Sequence, residues 1–140
     1  MPYIKQDDYL RAADDPQTPG ELNYNLTCLA IAVFLDRIDI TEFDARVGQQ
    51  VSEYLHREPS YTLFNEVVGA LVCCGQELLR RMRGTAREAA AQRCSITLAN
   101  HVTMLYKNMI APYEDIKIAE NGDVFPEELF PPKEDDDDVS

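Results

Sequence analysis

Apolar side chains recur along this chain with helical spacing, and the polar residues between them supply starts and stops. The clearest start is Thr18-Pro19-Gly20-Glu21. Thr18 suits an N-cap and Pro19 the first helical position. Glu21 stands at N3, where a carboxylate reaches back to the cap amide. The pattern predicts a helix from Pro19 to about Arg37. Leu22, Leu26, Leu29 and Val33 share one face, and Ile31, Phe34 and Leu35 widen it, which marks this helix as central. A second helix is predicted from about Thr41, with Asp44 at N3, stopping before Pro59; its stripe is Phe43, Val47, Val51 and Leu55. A third, capped by Ser60 or Thr62, runs to about Arg83, with Leu63 or Phe64, Val67, Leu71, Cys74, Leu78 and Met82 inward. Gly84 follows its basic last turn as a stop. A fourth starts at Thr85 or Ser95 and ends at Ile110, with Leu98, Val102, Leu105 and Met109 as its stripe. Ala111-Pro112 is expected to kink or break it. Pro112 then opens a short fifth helix that ends at Asn121-Gly122 in a left-handed stop.

The ends read differently. Residues 1–17 form a polar, irregular N-terminal arm with a short turn at Tyr9–Ala13, ended by Asp14-Asp15-Pro16. Val124, Phe125, Leu129 and Phe130 lie among prolines and acids and are expected to dock as an extended arm. Pro131 to Ser140 are expected to be disordered. The fold class is therefore all-α: a compact bundle of four to five helices over 18–125, followed by a disordered acidic, proline-containing tail over 126–140.

Composition fits one domain, because 140 residues that are 45% hydrophobic can build one core. The longest uninterrupted apolar run, Cys28 to Leu35, falls well short of the roughly 18–20 residues that span a bilayer. The N-terminus lacks a basic stretch followed by an apolar one, so no signal peptide is read, no membrane association is expected, and the protein is expected in the cytosol. There Cys28, Cys73, Cys74 and Cys94 are expected to be free thiols in the core or at interfaces.

The net charge of −12 argues against general DNA or RNA binding, since neutralising phosphates supplies most of that affinity. The charge is uneven. Glu114 to Ser140 carry −9, while Gln76 to Lys107 carry +4 from Arg80, Arg81, Arg83, Arg87, Arg93 and Lys107 against Glu77 and Glu88. Tail and middle are complementary.

Each chemical motif has a plainer counterpart. Glu53-x-x-His56 is one copy of a pattern that needs two to build a di-metal site, so it reads as a solvated helix face, with no metal and no cofactor expected. Glu66, Gly69, Ala70, Cys73, Glu77 and Arg80 share one side of the third helix. They read as a helix crossing with paired rim charges, or else as a polar cleft. The arginine cluster suits phosphates, carboxylates or the protein's own tail, or is a solvated helix end. Glu134-Asp135-Asp136-Asp137-Asp138 is a solubilising tail or a mimic of nucleic-acid phosphates. No nucleophile elbow, Walker loop or supported Cys–His pair is present, so no catalytic residue is assigned.

Four blocks carry a resemblance: Thr18–Tyr24 (TPGELNY), Asn65–Gly69 (NEVVG), Ala111–Asp115 (APYED) and Glu120–Phe125 (ENGDVF). In this order they resemble a family of small uncharacterised proteins of bacteriophage, archaeal and bacterial genomes. The chain departs from the pattern between Arg83 and about Leu98, where an insertion holds most of the arginines, and in the acidic tail. The resemblance implies a helical fold and a viral origin, and transfers no activity. It adds weight to Asn23, Tyr24, Asn65, Glu66, Tyr113, Glu114, Asp115 and Asn121.

The leading expectation is a non-enzymatic acidic binding protein, a phage accessory or counter-defence factor that occupies a host macromolecule, with a protein partner and homo-oligomerisation expected. The alternative is a nucleotide-sequestering protein using Arg80 to Arg93, with Tyr24 or Tyr113 for stacking. A third reading is a metal-dependent enzyme built on Glu53, His56, Glu66 and Glu77. The candidate binding residues are Asn23, Tyr24, Asn65, Glu66, Arg80, Arg81, Arg83, Tyr113, Glu114 and Asp115.

Overall fold

A computed structural model describes residues 15–133, so the turn at Tyr9–Ala13 and the acidic run 134–138 lie outside the described residues. Five α-helices are described: α1 (Pro19–Phe34), α2 (Ile40–Tyr54), α3 (Tyr61–Met82), α4 (Glu88–Leu105) and α5 (Ala111–Asn121). The all-α reading holds.

α1 begins as its sequence demands. Thr18 accepts from the Glu21 amide at 3.1 Å, and Glu21 accepts from the Gln17 amide at 2.7 Å, one residue before the cap. The helix stops three residues short of Arg37. Asp36 takes φ 58, the Asp36 amide donates to Val33 O at 3.0 Å, and the Arg37 amide donates to Ala32 O at 2.8 Å. This is the paired bonding of a Schellman stop, with aspartate in the left-handed position that glycine usually takes.

α2 is capped by Asp39, which accepts from the Glu42 amide at 2.8 Å, and not by Thr41. Asp44 instead meets His101 Nε2 of α4 at 2.7 Å. Ser60 caps α3 by accepting from the Leu63 amide, and Gly84 at φ 75 follows its end.

The core lies among the first four helices. Leu22, Leu26, Phe43, Val47, Leu63, Val67, Leu71, Cys74, Leu78, Cys94 and Leu98 are all buried there. Each fully buried leucine or phenylalanine contributes about 1.5–3 kcal/mol. α3 packs on both α1 and α4. At Gly75 an added Cβ would meet Ser95 Oγ at 3.2 Å, so this glycine lets the α3 and α4 backbones close up. The expected crossing residues Gly69 and Cys73 face outward instead. By length and composition α3 could cross a bilayer. Its apolar content has a second use, because the stripe from Leu63 to Leu78 is buried against α1 and α4.

Proline 112 does not break the chain's helical course. Tyr106–Ile110 form one π-helical turn, in which the Ala111 amide donates to Tyr106 O, five residues back. A proline at position 112 cannot donate and would clash with the Asn108 carbonyl in a regular helix. The wider turn relieves both problems. α5 then runs to Asn121 with no buried residue. Gly122 ends it at φ 89, ψ 158, a glycine-only extended conformation and not the expected left-handed helical one. Beyond it Val124, Phe125, Leu129 and Phe130 are exposed, and Phe125 and Phe130 meet only edge to face at 6.5 Å. Among the described residues the expected docking of this arm does not occur.

Candidate functional site

The expected site residues do not converge. They divide between the two ends of α3, and Phe64 and Arg80 are about 24 Å apart along its axis.

At the N-terminal end, Tyr113 of α5 meets the rings of Tyr61 and Phe64 edge to face at 5.1 and 5.4 Å. The Tyr61 hydroxyl donates to Glu114. That bond pushes its pKa up to about 12, because ionisation would set two negative charges together. Lys117 lies over the Tyr113 ring at 5.3 Å. These contacts dock α5. Asn65 and Asp115 are exposed nearby, and Glu66 accepts from Tyr54 at 2.6 Å.

At the C-terminal end, Glu77 binds Arg80 through two hydrogen bonds of 3.0 and 2.7 Å, with Arg81 at 3.9 Å. The Arg80 bonds hold the Glu77 carboxyl down at about 2. Arg80 and Arg83 share a groove of about 740 Å³ with Asn23, Val72 and Leu79. Tyr24 sits along α1, where its bond to the Cys28 thiol opposes the upward push of burial on that group. Tyr113 is thus at the wrong end of α3 to stack on a ligand held by Arg80.

The metal reading is corrected as well. Glu66 and Glu77 are about 16 Å apart along α3. Among the described residues, no three His, Cys, Asp or Glu side chains are grouped to hold an ion.

Sequence reasoning missed a second groove, of about 660 Å³, at the head of α4. Arg37 from the α1–α2 turn joins Arg87 and Arg93 around Val33, Ile38, Ile40 and Ala90. Arg37 is fifty residues from Arg87 in sequence, so only the fold brings the three together. Arg87 faces Asp36 at 3.5 Å.

A family model described as a domain of unknown function (DUF6899) matches residues 1–93. The chain belongs to that family. The DUF6899 match runs through the arginine-rich stretch and stops inside α4, before the Ala111–Asp115 and Glu120–Phe125 blocks. Leu98 and Leu105, both beyond the match, are buried in the DUF6899 protein's core, so the fold extends past it. No curated protein and no solved structure matches the chain.

Proposed function

We propose that this DUF6899 protein is a non-enzymatic binding protein whose acidic, apolar C-terminal part occupies a basic-rimmed surface on another macromolecule. The supporting observation is where apolar surface remains uncovered. Ile96, Met104, Tyr106, Met109, Ile116, Val124, Phe125, Leu129 and Phe130 are all exposed, those from Ile116 onward lying among acids, while α1 to α3 leave few such residues. Exposed apolar side chains set among charges are characteristic of interaction sites. The buried polar residues are structural: Glu21 accepts from Gln17, Asn25 donates to Gln50 and Thr27 donates to Asn23.

In the finer reading the protein is a phage-encoded accessory or counter-defence factor in the host cytoplasm, with its negative charge steering association. The test is a pull-down from host lysate with the full chain and with a chain truncated after Asn121. A stoichiometric, salt-sensitive partner held only by the full chain is expected. No partner at low salt overturns the reading.

A second reading is favoured by the Arg37–Arg87–Arg93 groove, whose guanidinium groups suit phosphates. It makes the protein a nucleotide binder. Thermal shift with mono- and cyclic nucleotides separates the two, and no shift at millimolar ligand removes the second.

A further inference from the structure

The groove at the head of α4 and the C-terminal arm are chemically complementary. The groove has an apolar floor of Val33, Ile38, Ile40 and Ala90 and a rim of Arg37, Arg87 and Arg93. Three carboxylates also stand there, and each is engaged. Asp36 faces Arg87 at 3.5 Å, Asp39 caps α2, and Glu42 pairs with Arg46 at 2.7 Å. Arg37 and Arg93 have no carboxylate partner among the described residues. The arm offers the converse: Phe125, Leu129 and Phe130 at 59%, 60% and 61% exposure, with Glu127 and Glu128 between them. The acidic run 134–138 follows in sequence.

We propose that the arm of one copy seats in the Arg37–Arg87–Arg93 groove of a second copy. Phe125, Leu129 and Phe130 cover the apolar floor, and Glu127 and Glu128 meet Arg37 and Arg93. The contact runs between copies because groove and arm belong to opposite ends of the fold. The groove lies at the start of α4, whose 18 residues extend about 27 Å before the π turn. α5, from which the arm leaves, is held by Tyr113 at the far end of α3. Such a contact is head to tail, so each pairing leaves one arm and one groove open for closure into a ring or for further growth. This rests on the reading of the arm as the binding element. It gives that element a ligand in the protein's own population, with which any other partner competes.

The test uses light scattering of the full chain from micromolar to millimolar concentration. The mass is expected to rise from the 15.9 kDa monomer to at least twice that value, and high salt should suppress the rise. Two charge reversals sharpen it. Arg37→Glu with Arg93→Glu reverses the groove, and Glu127→Arg with Glu128→Arg reverses the arm. All four positions are exposed, so folding is retained, as circular dichroism will check. Each variant alone is expected to stay monomeric, and an equimolar mixture to associate again, because the reversed arm fits the reversed groove. A chain that stays monomeric throughout overturns the proposal, whether its arm is free or folded on its own groove. Association that ignores both reversals, or a mixture that stays monomeric, also overturns it. A lysate partner captured by a strictly monomeric chain would leave the binding function standing and remove this inference alone.

Discussion

The Tyr54 hydroxyl, buried at the end of α2, donates a 2.6 Å hydrogen bond to Glu66 on α3, and the Arg57 guanidinium covers the same ring at 4.2 Å. This fixes where the α2–α3 turn lies against the bundle. Removing the hydroxyl in Tyr54→Phe is expected to lower stability by about 1.5 kcal/mol, as for a hydrogen bond to a charged acceptor. The midpoint of urea unfolding reads the change. Burial, then the Glu66 bond, pushes the hydroxyl from its ordinary 10 up to about 12. A raised folded-state pKa contributes stability that is complete below pH 10 and lost as pH climbs toward 12. Tyr61 acts with the same sign in the same window, so Tyr54→Phe should flatten only part of the alkaline loss. An unaltered profile between pH 10 and 12 would sink the assignment.

Asp36 holds a left-handed conformation that L-residues other than asparagine and aspartate seldom adopt. Its ion pair with Arg87 is exposed and long, so it contributes little. Asp36→Gly is therefore expected to stabilise the protein by about 0.5–1 kcal/mol, and Asp36→Val to destabilise it by more than that, since a β-branched side chain fits φ 58 worst. Paired thermal melts decide it. Equal melting temperatures for the two variants would refute the left-handed stop.

Pro112 and the π turn are cause and consequence. In Pro112→Ala the obstacle to a regular helix is gone, and residues 106–111 are free to close i to i+4 bonds. That change would rotate α5 by about 100° and pull Tyr113 off Phe64, opposing ring contacts worth about 0.5–1.5 kcal/mol each. The expected result is slower amide exchange across 106–113 together with greater mobility of the Tyr113 ring by NMR. Unchanged exchange at those amides would mean that the aromatic contacts, and not the proline, hold the wide turn.

Local chemistry was legible and distant chemistry was not. Thr18 and Ser60 act as caps because their oxygens and the amides they bind are three residues apart. The stripes Phe43–Val47–Val51 and Val67–Leu71–Cys74 are buried because helical spacing puts each on one face. The start of α2 is where local spacing misled. Thr41 with Asp44 three residues on has the spacing of a cap, but the structure caps at Asp39, which accepts from the Glu42 amide, and Asp44 meets His101 instead. The candidate site was hardest. Arg80 and Tyr113 were grouped by family blocks and charge, yet α3 holds them apart. Arg37, Arg87 and Arg93 meet only through the packing of α1, α2 and α4.

The cysteines follow the same division, and thiol labelling tests it. All four are free; Cys74 and Cys94 are buried in the core, while Cys28 and Cys73 are exposed on the surface of the chain. Adjacent Cys73 and Cys74 differ because neighbouring helical side chains point about 100° apart, so one faces solvent and the other faces Thr27, 3.6 Å away. Burial pushes Cys74 and Cys94 up to about 11, which leaves almost no thiolate near neutrality. An aromatic disulfide reagent at neutral pH is expected to label Cys73 fastest. Cys28 follows more slowly, since burial raises it too, and Cys74 and Cys94 react only on unfolding. Two protected thiols in the folded protein, freed together at the urea midpoint, is the expected record; four equally fast thiols would mean that α3 and α4 do not close at Gly75.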